Sequence, residues 1–151
     1  MIKPILNYNN EKDKKILFQQ CEKVENIQEV QKIIQDLKDT LHASINGKGL
    51  SANQIGALKQ ICICSWGGQE IVMINPTITR KRGNQKFLEG CLSVPGKYIE
   101  VERAQKVWCT YLDENGDTKE IAEGGRMSDI IQHELDHLKG ECKLYQDEKG
   151  A

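Results

Sequence analysis

The run His133-Glu134-Leu135-Asp136-His137, close to the C terminus, restricts the fold and the chemistry of this chain more than any other feature. Residues four apart lie on the same face of an α-helix, so on a helix the two histidines can share one metal ion. A divalent metal lowers the pKa of its bound water to about 7, and the glutamate beside it can take up and return the proton. The pattern therefore predicts a helix that supports metal-assisted hydrolysis, with a chance match on an ordinary charged helix as the alternative.

The length of 151 residues predicts one domain over residues 1–151, large enough to form a core without disulfides. With 21 basic and 22 acidic residues the net charge is -1, which favours neither DNA nor an anionic membrane as a partner. No stretch has the length of a signal-peptide core or a membrane span, so a cytoplasmic location is expected. The six cysteines are then expected to be free thiols, one of which could bind a metal.

The hydrophobic pattern predicts an α+β fold in which antiparallel sheets pack around the C-terminal helix, together with an N-terminal helix. Apolar residues at helical spacing follow Asn26 and predict the N-terminal helix over residues 27–44. The C-terminal helix is expected to run from about Gly125 to Gly140. Residues 11–24 are compatible with a short helix or with an irregular segment.

Strands are predicted where β-branched and aromatic residues lie between turn residues. The sequence Asp113-Glu114-Asn115-Gly116-Asp117 predicts a hairpin turn, because Asn-Gly readily adopts the positive φ angles of a tight turn. The predicted strands are 61–66, 70–75, 107–112 and 118–122. Cys62 and Cys64 lie on one face of the first of these, where packing in the core is the favoured interpretation over metal binding.

A catalytic metal site needs a third protein ligand and an open position. The metzincin protease pattern would place a histidine at position 143, but the residue is Lys143, whose protonated amine cannot bind a metal. Thermolysin-like enzymes take a carboxylate from a later helix, whereas Glu141, Asp147 and Glu148 lie in a tail that is too short for one. The third ligand is therefore expected upstream, and Cys91 is the candidate, in a turn-like segment bracketed by glycines and a proline.

Three segments together resemble peptide deformylase. They are Gly47-Lys48-Gly49-Leu50-Ser51-Ala52-Asn53-Gln54-Ile55-Gly56, Glu89-Gly90-Cys91-Leu92-Ser93 and Gln132-His133-Glu134-Leu135-Asp136-His137-Leu138-Lys139-Gly140. Their order and separation match that family, as does Ile74-Asn75-Pro76 between the first two, and the resemblance spans residues 25–140. The combination is far more specific than any single motif.

The resemblance implies a metal site formed by Cys91, His133 and His137. Fe(II) is favoured for activity, and Zn(II), Ni(II) and Co(II) are also compatible with a thiolate and two imidazoles. Glu134 would act as general base and acid, while Gln54 and the backbone amide of Leu92 would stabilise the oxyanion formed when the metal-activated water attacks the formyl carbonyl. Formate and a free N-terminus would be the products.

The implied substrates are N-formyl-methionyl nascent peptides, met at the ribosome in the cytoplasm of a bacterium or a phage-infected bacterial cell. Gly49 would offer backbone to which an extended peptide adds by strand pairing. Glu89 would pair with Arg103 near the site and is also expected to be among the residues that bind substrate.

The pocket for the methionine side chain would be lined by Ile130, with Arg126 and Asp129 on the same helix face. These two charges predict a more polar pocket rim than in the family, with an ion pair on the solvent side as the alternative. Asp136 is expected to be a solvated charge on the helix surface.

The sequence resembles a short, bacteriophage-like form without the further C-terminal helix of many bacterial members, because residues 141–146 show no helical apolar face. Two other functions remain open. A metallopeptidase could use the same helix, although known H-E-x-x-H proteases take histidine or carboxylate as third ligand. A structural Cys-His metal module is the other, although such sites usually have four ligands and would leave Glu134 without a role.

Overall fold

The computed structural model describes residues 1–146, which form four α-helices and seven strands. The helices are α1 (Glu11–Leu17), α2 (Gln31–Ala43), α3 (Gly125–Leu138) and α4 (Lys143–Gln146). The strands are β1 (Gly49–Ser51), β2 (Ile61–Trp66), β3 (Gln69–Arg82), β4 (Gln85–Cys91), β5 (Val94–Arg103), β6 (Lys106–Leu112) and β7 (Thr118–Gly124). No helix in this part of the chain is long and apolar enough to cross a membrane.

The predicted N-terminal helix is confirmed, with a tighter first turn than expected. Asn26 accepts a hydrogen bond from the Gln28 backbone N–H at 2.9 Å, and a 3₁₀ turn over Ile27–Val30 leads into α2. The segment left open at 11–24 contains α1, whose N terminus is capped by the side chain of Asn10. Helix α1 therefore begins directly after a capping asparagine, and α2 follows a 3₁₀ turn that another asparagine caps.

A five-stranded antiparallel sheet in the order β1-β2-β3-β6-β7 forms the centre of the fold, and β4 and β5 form a separate hairpin. The predicted strands are confirmed, including the β6–β7 hairpin. Strand β3 is longer than expected because it continues past Pro76 through a shift of register between Ile74 and Thr77. Such an irregularity accommodates a residue that has no N–H to donate to the ladder.

The two faces of β2 separate two parts of the core. Cys62 and Cys64 are fully buried on the face that packs against α3, in the same cluster as Ile131. Ile61 and Ile63 lie on the other face, which α2 covers. The predicted packing role of the two cysteines is confirmed, and all six cysteines are free thiols. Helix α3 is thus enclosed, and 11 of its 14 residues are buried, among them polar residues such as Gln132 and Glu134.

The segment after α3 is buried, and the expectation that it offers no face to the core is wrong. Cys142, Leu144 and Tyr145 pack with Tyr8 and Leu17. The rings of Tyr8 and Tyr145 stack with their centroids 4.6 Å apart. Because these partners come from the opposite end of the chain, no local pattern indicates the contact. Glu141 is exposed, while Asp147 and Glu148 lie outside the described residues.

Candidate metal centre

Four side chains direct potential ligand atoms to one point. The sulfur atoms of Cys91 and Cys142 and one ring nitrogen each of His133 and His137 all lie within 4.8 Å of one another. The two Nε2 atoms are 3.1 Å apart, and Cys91 Sγ lies 3.2 Å from His137 Nε2. Two nitrogens bound to one tetrahedral zinc at 2.0–2.1 Å would be about 3.3 Å apart, so the donor set fits a single metal ion.

Each ligand position follows from the local fold. The two histidines lie one turn apart on α3, which presents both rings to the same side. Cys91 is the last residue of β4, where the pairing with β5 shifts register between Gly90 and Cys91. The three residues singled out from the sequence therefore meet as expected.

Cys142 is the residue that sequence reasoning missed. The protease patterns place a histidine or a carboxylate in this tail, at positions 141, 143, 147 and 148, and not a thiol. Gly140 turns the chain back at φ +78, and its N–H donates to the carbonyl of His137 at 2.9 Å. A glycine followed two residues later by cysteine, just beyond the second histidine, was the available signal.

A chain of ion pairs orients the first histidine. His133 Nδ1 bonds to Glu89 Oε1 at 2.8 Å, which leaves Nε2 free to face the ligand cluster. Arg103 donates two hydrogen bonds to Glu89, at 2.8 and 3.0 Å, so the predicted ion pair is confirmed. Arg103 also donates to Asp136 at 2.7 Å. The expectation that Asp136 is a solvated charge is therefore wrong. The Arg103 guanidinium, which pairs with Glu89, has further N–H donors, and one of them bonds to Asp136.

Glu134 is buried directly against Gly49. A Cβ atom added to Gly49 would lie 2.6 Å from Glu134 Oε2, so only glycine leaves room for this carboxylate. Glu134 Oε1 is buried and has no hydrogen-bond partner among the described residues. One carboxylate oxygen is thus held by packing and the other is available to a bound molecule.

Gln54 is held at both ends of its amide. Its Oε1 accepts from the backbone N–H of Ser51 at 2.9 Å, and its Nε2 donates to Ser93 Oγ at 3.0 Å. The same Nε2 lies 3.6 Å from Cys91 Sγ. The amide therefore satisfies a core backbone group and also faces the ligand cluster.

Burial and neighbouring charges shift the protonation of this site. Burial raises the pKa of Glu134, an effect that the nearby imidazoles of His133 and His137 partly offset. Burial would lower the pKa of His133, but the bond to Glu89 and other nearby negative groups raise it to about 9. The hydrogen bond between Cys91 and Cys142 lowers the pKa of Cys142, and the same bond together with burial raises the pKa of Cys91. A metal ion and protons therefore compete for the same cysteine and histidine side chains.

A cavity of about 380 Å³ opens onto the ligand cluster. Such a volume suits a small ligand or the end of a peptide. Lining residues closest to the cluster are Gly49, Gln54, Cys91, Leu92, His133 and Glu134. Ile130 supplies a buried apolar wall, and Arg126 and Asp129 line the cavity as an ion pair at 2.8 Å. The pair therefore faces the cavity and not only the solvent, since Asp129 is 3% exposed.

The family model for polypeptide deformylase matches residues 2–148 of the chain. The chain belongs to the polypeptide deformylase family. The peptide deformylase of Aquifex aeolicus (strain VF5) is 42% identical over 147 residues, which cover 93% of this chain and 84% of that protein. The deformylase resemblance inferred from three sequence segments is thereby confirmed.

Solved deformylase structures share this fold over nearly the whole chain. The crystal structure of a peptide deformylase from Legionella pneumophila has a TM-score of 0.88 at 36% identity, covering 96% of this chain and 85% of that one. The peptide deformylase from Synechococcus elongatus, crystallised in complex with actinonin, has a TM-score of 0.84 at 32% identity, covering 99% and 88%. This deformylase is therefore an enzyme of the hydrolase class that removes formyl groups, with the predicted α+β fold and a site for a divalent metal.

Proposed function

We propose that this deformylase removes the formyl group from the N-terminal methionine of new peptides with the side chains that converge at the end of α3. The observation that carries the proposal is that the cluster of metal-ligand side chains opens through Cys91 and His133 onto one cavity, which a buried carboxylate and an amide also line. The assignment is Cys91, His133 and His137 as metal ligands, Glu134 as general base and acid, and Gln54 with the Leu92 amide as oxyanion donors.

The ligand assignment is supported by the donor atoms themselves. Both Nε2 atoms and Cys91 Sγ point to a common centre, and Glu89 fixes the ring of His133 from behind. When bound, a divalent metal supplies a Lewis acid that polarises the formyl carbonyl and acidifies water. We therefore assign Glu89 an orienting role, although it was first expected to contact substrate, because both of its carboxylate oxygens are bonded within the protein.

Glu134 moves the proton. Its unpartnered Oε1 can accept a proton from the attacking water, and the raised pKa of the buried carboxyl suits it to hold that proton. The same oxygen then delivers the proton to the departing amine, which leaves formate and a free N-terminus. Gln54 Nε2 and the Leu92 N–H donate to the carbonyl oxygen as negative charge gathers there.

The substrate backbone pairs with β1. This strand lies at the edge of the five-stranded sheet, and Gly49 at its start lines the cavity. Backbone pairing does not depend on side-chain identity, so it suits an enzyme that accepts many peptide sequences. Ile130 contacts the methionine side chain in this arrangement.

The test is formate release from a formyl-methionyl peptide, measured anaerobically with metal-loaded protein. Glu134→Gln keeps the size of the side chain but cannot take up the proton, so turnover should fall roughly 10²- to 10⁴-fold while metal content stays the same. Glu120→Gln, on the exposed side of β7, is the matched control and should retain full turnover. The same peptide without its formyl group should remain intact.

The two alternative functions give different results in that assay. A metallopeptidase would cleave internal bonds without releasing formate. A structural metal module would show no turnover that depends on Glu134. Either result would overturn the deformylase assignment of these residues.

We propose Fe(II) as the metal that supports the highest activity. The thiolate and imidazole ligands are compatible with Fe(II), Zn(II), Ni(II) and Co(II), and the deformylase resemblance favours Fe(II). Protein loaded to equal content with Fe(II) or Zn(II) under anaerobic conditions should show faster formate release with Fe(II). Equal or faster turnover with Zn(II) would contradict the proposal.

We propose that the substrates are met as nascent chains at the ribosome, in the cytoplasm of a bacterium or a phage-infected bacterial cell. A local basic surface supports such a contact: the guanidinium groups of Arg80 and Arg82 and the amine of Lys106 lie 4.5 to 5.6 Å from the ring centre of Trp108. Cations around an aromatic ring suit RNA. Co-sedimentation with ribosomes should weaken in the double variant Arg80→Glu, Arg82→Glu; unchanged sedimentation would argue against this surface.

The rim of the cavity is expected to alter substrate preference. Arg126 also donates to the carbonyl of Leu88 at 3.2 Å, so its charge is fixed beside the apolar wall of Ile130. We propose that this more polar rim reduces the discrimination among apolar side chains. Rates with formyl-methionyl and formyl-norleucyl peptides should then be closer in the wild type than in Arg126→Leu. Equal selectivity in both proteins would contradict the proposal.

A further inference from the structure

Cys142 lies behind the proposed metal site, in the protein core. It is 3% exposed and packs in the cluster of Tyr8, Leu17, Val94 and Tyr145. Cys91 borders the same cluster, so the two sulfur atoms approach each other from neighbouring chain segments. Cys142 is thus a buried, ligand-type side chain that the assigned three-ligand site does not use.

Cys142 does not line the cavity. The cavity is lined by Cys91, His133 and Glu134. His137 and Cys142 are not among its lining residues. A fourth ligand at Cys142 therefore leaves the cavity side accessible to water and substrate. This arrangement differs from a structural site, in which four protein ligands enclose the metal.

The backbone holds Cys142 in place. The turn at Gly140 is closed by a hydrogen bond from the Glu141 N–H to the carbonyl of Asp136 at 2.9 Å. The carbonyl of Cys142 accepts from the Tyr145 N–H at 3.0 Å, at the start of α4. The backbone on both sides of Cys142 is thus fixed by short-range hydrogen bonds, which favours a preorganised ligand.

We propose that Cys142 is a fourth protein ligand of the metal, entering from the core side and completing a Cys2His2 donor set with Cys91, His133 and His137. This inference rests on the proposed function for the other three ligands. A second thiolate is a soft donor, and sets of two sulfurs and two nitrogens favour zinc. Cys142 therefore makes Zn(II) a stronger competitor of Fe(II), and slows metal loss, relative to a site without it.

X-ray absorption at the zinc edge tests this on the unaltered protein, reduced with a non-thiol reductant. The expected shell contains two sulfurs and two imidazole nitrogens. One sulfur would overturn the inference, as would failure to bind metal because Cys91 and Cys142 are joined in a disulfide. No variant is needed, so a folding defect cannot obscure the answer.

Cobalt substitution provides the variant test. The near-ultraviolet sulfur-to-cobalt absorption should fall to about half in Cys142→Ala, and a chelator should remove the metal at least several-fold faster. Cys21→Ala is the matched control, since Cys21 is also buried but lies in a different cluster, and it should match the wild type. Unchanged absorption in Cys142→Ala at equal cobalt content would overturn the proposal.

Formate release measured on the same samples separates this inference from the proposed function. Turnover with a single metal-bound sulfur would refute the role of Cys142 and leave the deformylase assignment intact. Two metal-bound sulfurs without any formate release would refute the deformylase assignment and leave the four-ligand site intact.

Discussion

Gly49 of the first sequence motif lies directly against Glu134 of the last motif. The two can come this close because glycine has no side chain. A Cβ atom on residue 49 would come within 3.0 Å of three atoms of Glu134. The φ angle of Gly49 is not in the left-handed region, so the requirement for glycine comes from space and not from backbone conformation. Glycine at this position thereby determines where the proposed base can lie.

Gly49→Ala should lower formate release roughly 10²- to 10³-fold, because the methyl group displaces the carboxylate from the ligand cluster. Metal content, measured by elemental analysis, should stay the same, since the ligands are untouched. Gly124→Ala is the control: its Cβ would lie 3.6 Å from the nearest atom, an ordinary contact. Normal turnover in Gly49→Ala would show that Glu134 does not need its observed position.

Asp129 makes stability depend on pH. Burial and the neighbouring Glu89 raise the pKa of Asp129 to about 7, against a smaller opposite effect of Arg126. An unfolded aspartate has a pKa of about 3.9, so between pH 4 and 7 the folded protein holds a proton that the unfolded chain has lost. The contribution of Asp129 to stability therefore falls as pH rises through this window, by at most about 1.4 kcal/mol per pH unit, and is constant above it.

Asp129→Asn should remove this dependence. Relative to the wild type, the variant should gain roughly 2 kcal/mol of unfolding free energy between pH 5.5 and pH 8, as measured by urea denaturation. Asp117→Asn, at an exposed carboxylate after the β6–β7 turn, should follow the wild type at both pH values. A wild-type-like pH dependence in Asp129→Asn would contradict the shifted pKa.

At the level of helices and strands, α2, α3 and the β6–β7 hairpin were predictable because each has a local signal: helical spacing or an Asn-Gly turn. The hairpin of β4 and β5 was not, since only Phe87 and Glu89 of β4 are buried and the buried positions therefore include a charge. Three of the four converging side chains were found through motifs. Cys142 was not, because its position depends on a turn and on a contact with residues near the N terminus.

The end of α3 depends on Gly140 in two ways. Its φ of +78 disfavours any other residue, and a Cβ there would lie 2.3 Å from the carbonyl oxygen of Phe18, directly after α1. Gly140→Ala should therefore lose more unfolding free energy than the roughly 1 kcal/mol expected for the φ angle alone.

Gly68→Ala isolates the φ contribution, since Gly68 has φ +83 but nothing within 4 Å of its Cβ position. Chemical denaturation of the two variants should show the larger loss for Gly140→Ala. Equal losses would mean that the segment after α1 moves aside freely.

Across the whole molecule, the site joins the β4–β5 hairpin to α3. Cys91 comes from the β4–β5 hairpin, the histidines from α3, and Arg103 at the end of β5 is bonded to both Glu89 and Asp136. That residues 1–151 form one domain remains a prediction. These connections support it, because they tie the hairpin and α3 into one cooperative unit. A metal bound at the junction stabilises the folded state because the unfolded chain does not preform the site.

Chelation should therefore lower the melting temperature of the metal-loaded protein. A free metal concentration about 100-fold above the dissociation constant contributes about 2.7 kcal/mol, which corresponds to roughly 5–10 °C for a chain of this size. Cys91→Ala should show a much smaller shift on chelation. An unchanged melting temperature after the metal has left, as verified by elemental analysis, would contradict the coupling.

The edge position of β1 has a consequence for aggregation. A free sheet edge can pair with any extended chain, including a second copy of the same protein, and natural proteins often keep such edges short. Strand β1 has three residues and ends at once in a 3₁₀ turn over Ala52–Ile55. Its shortness would limit pairing to the first few residues of an incoming peptide, and an edge strand of three residues is a poor template for fibrils.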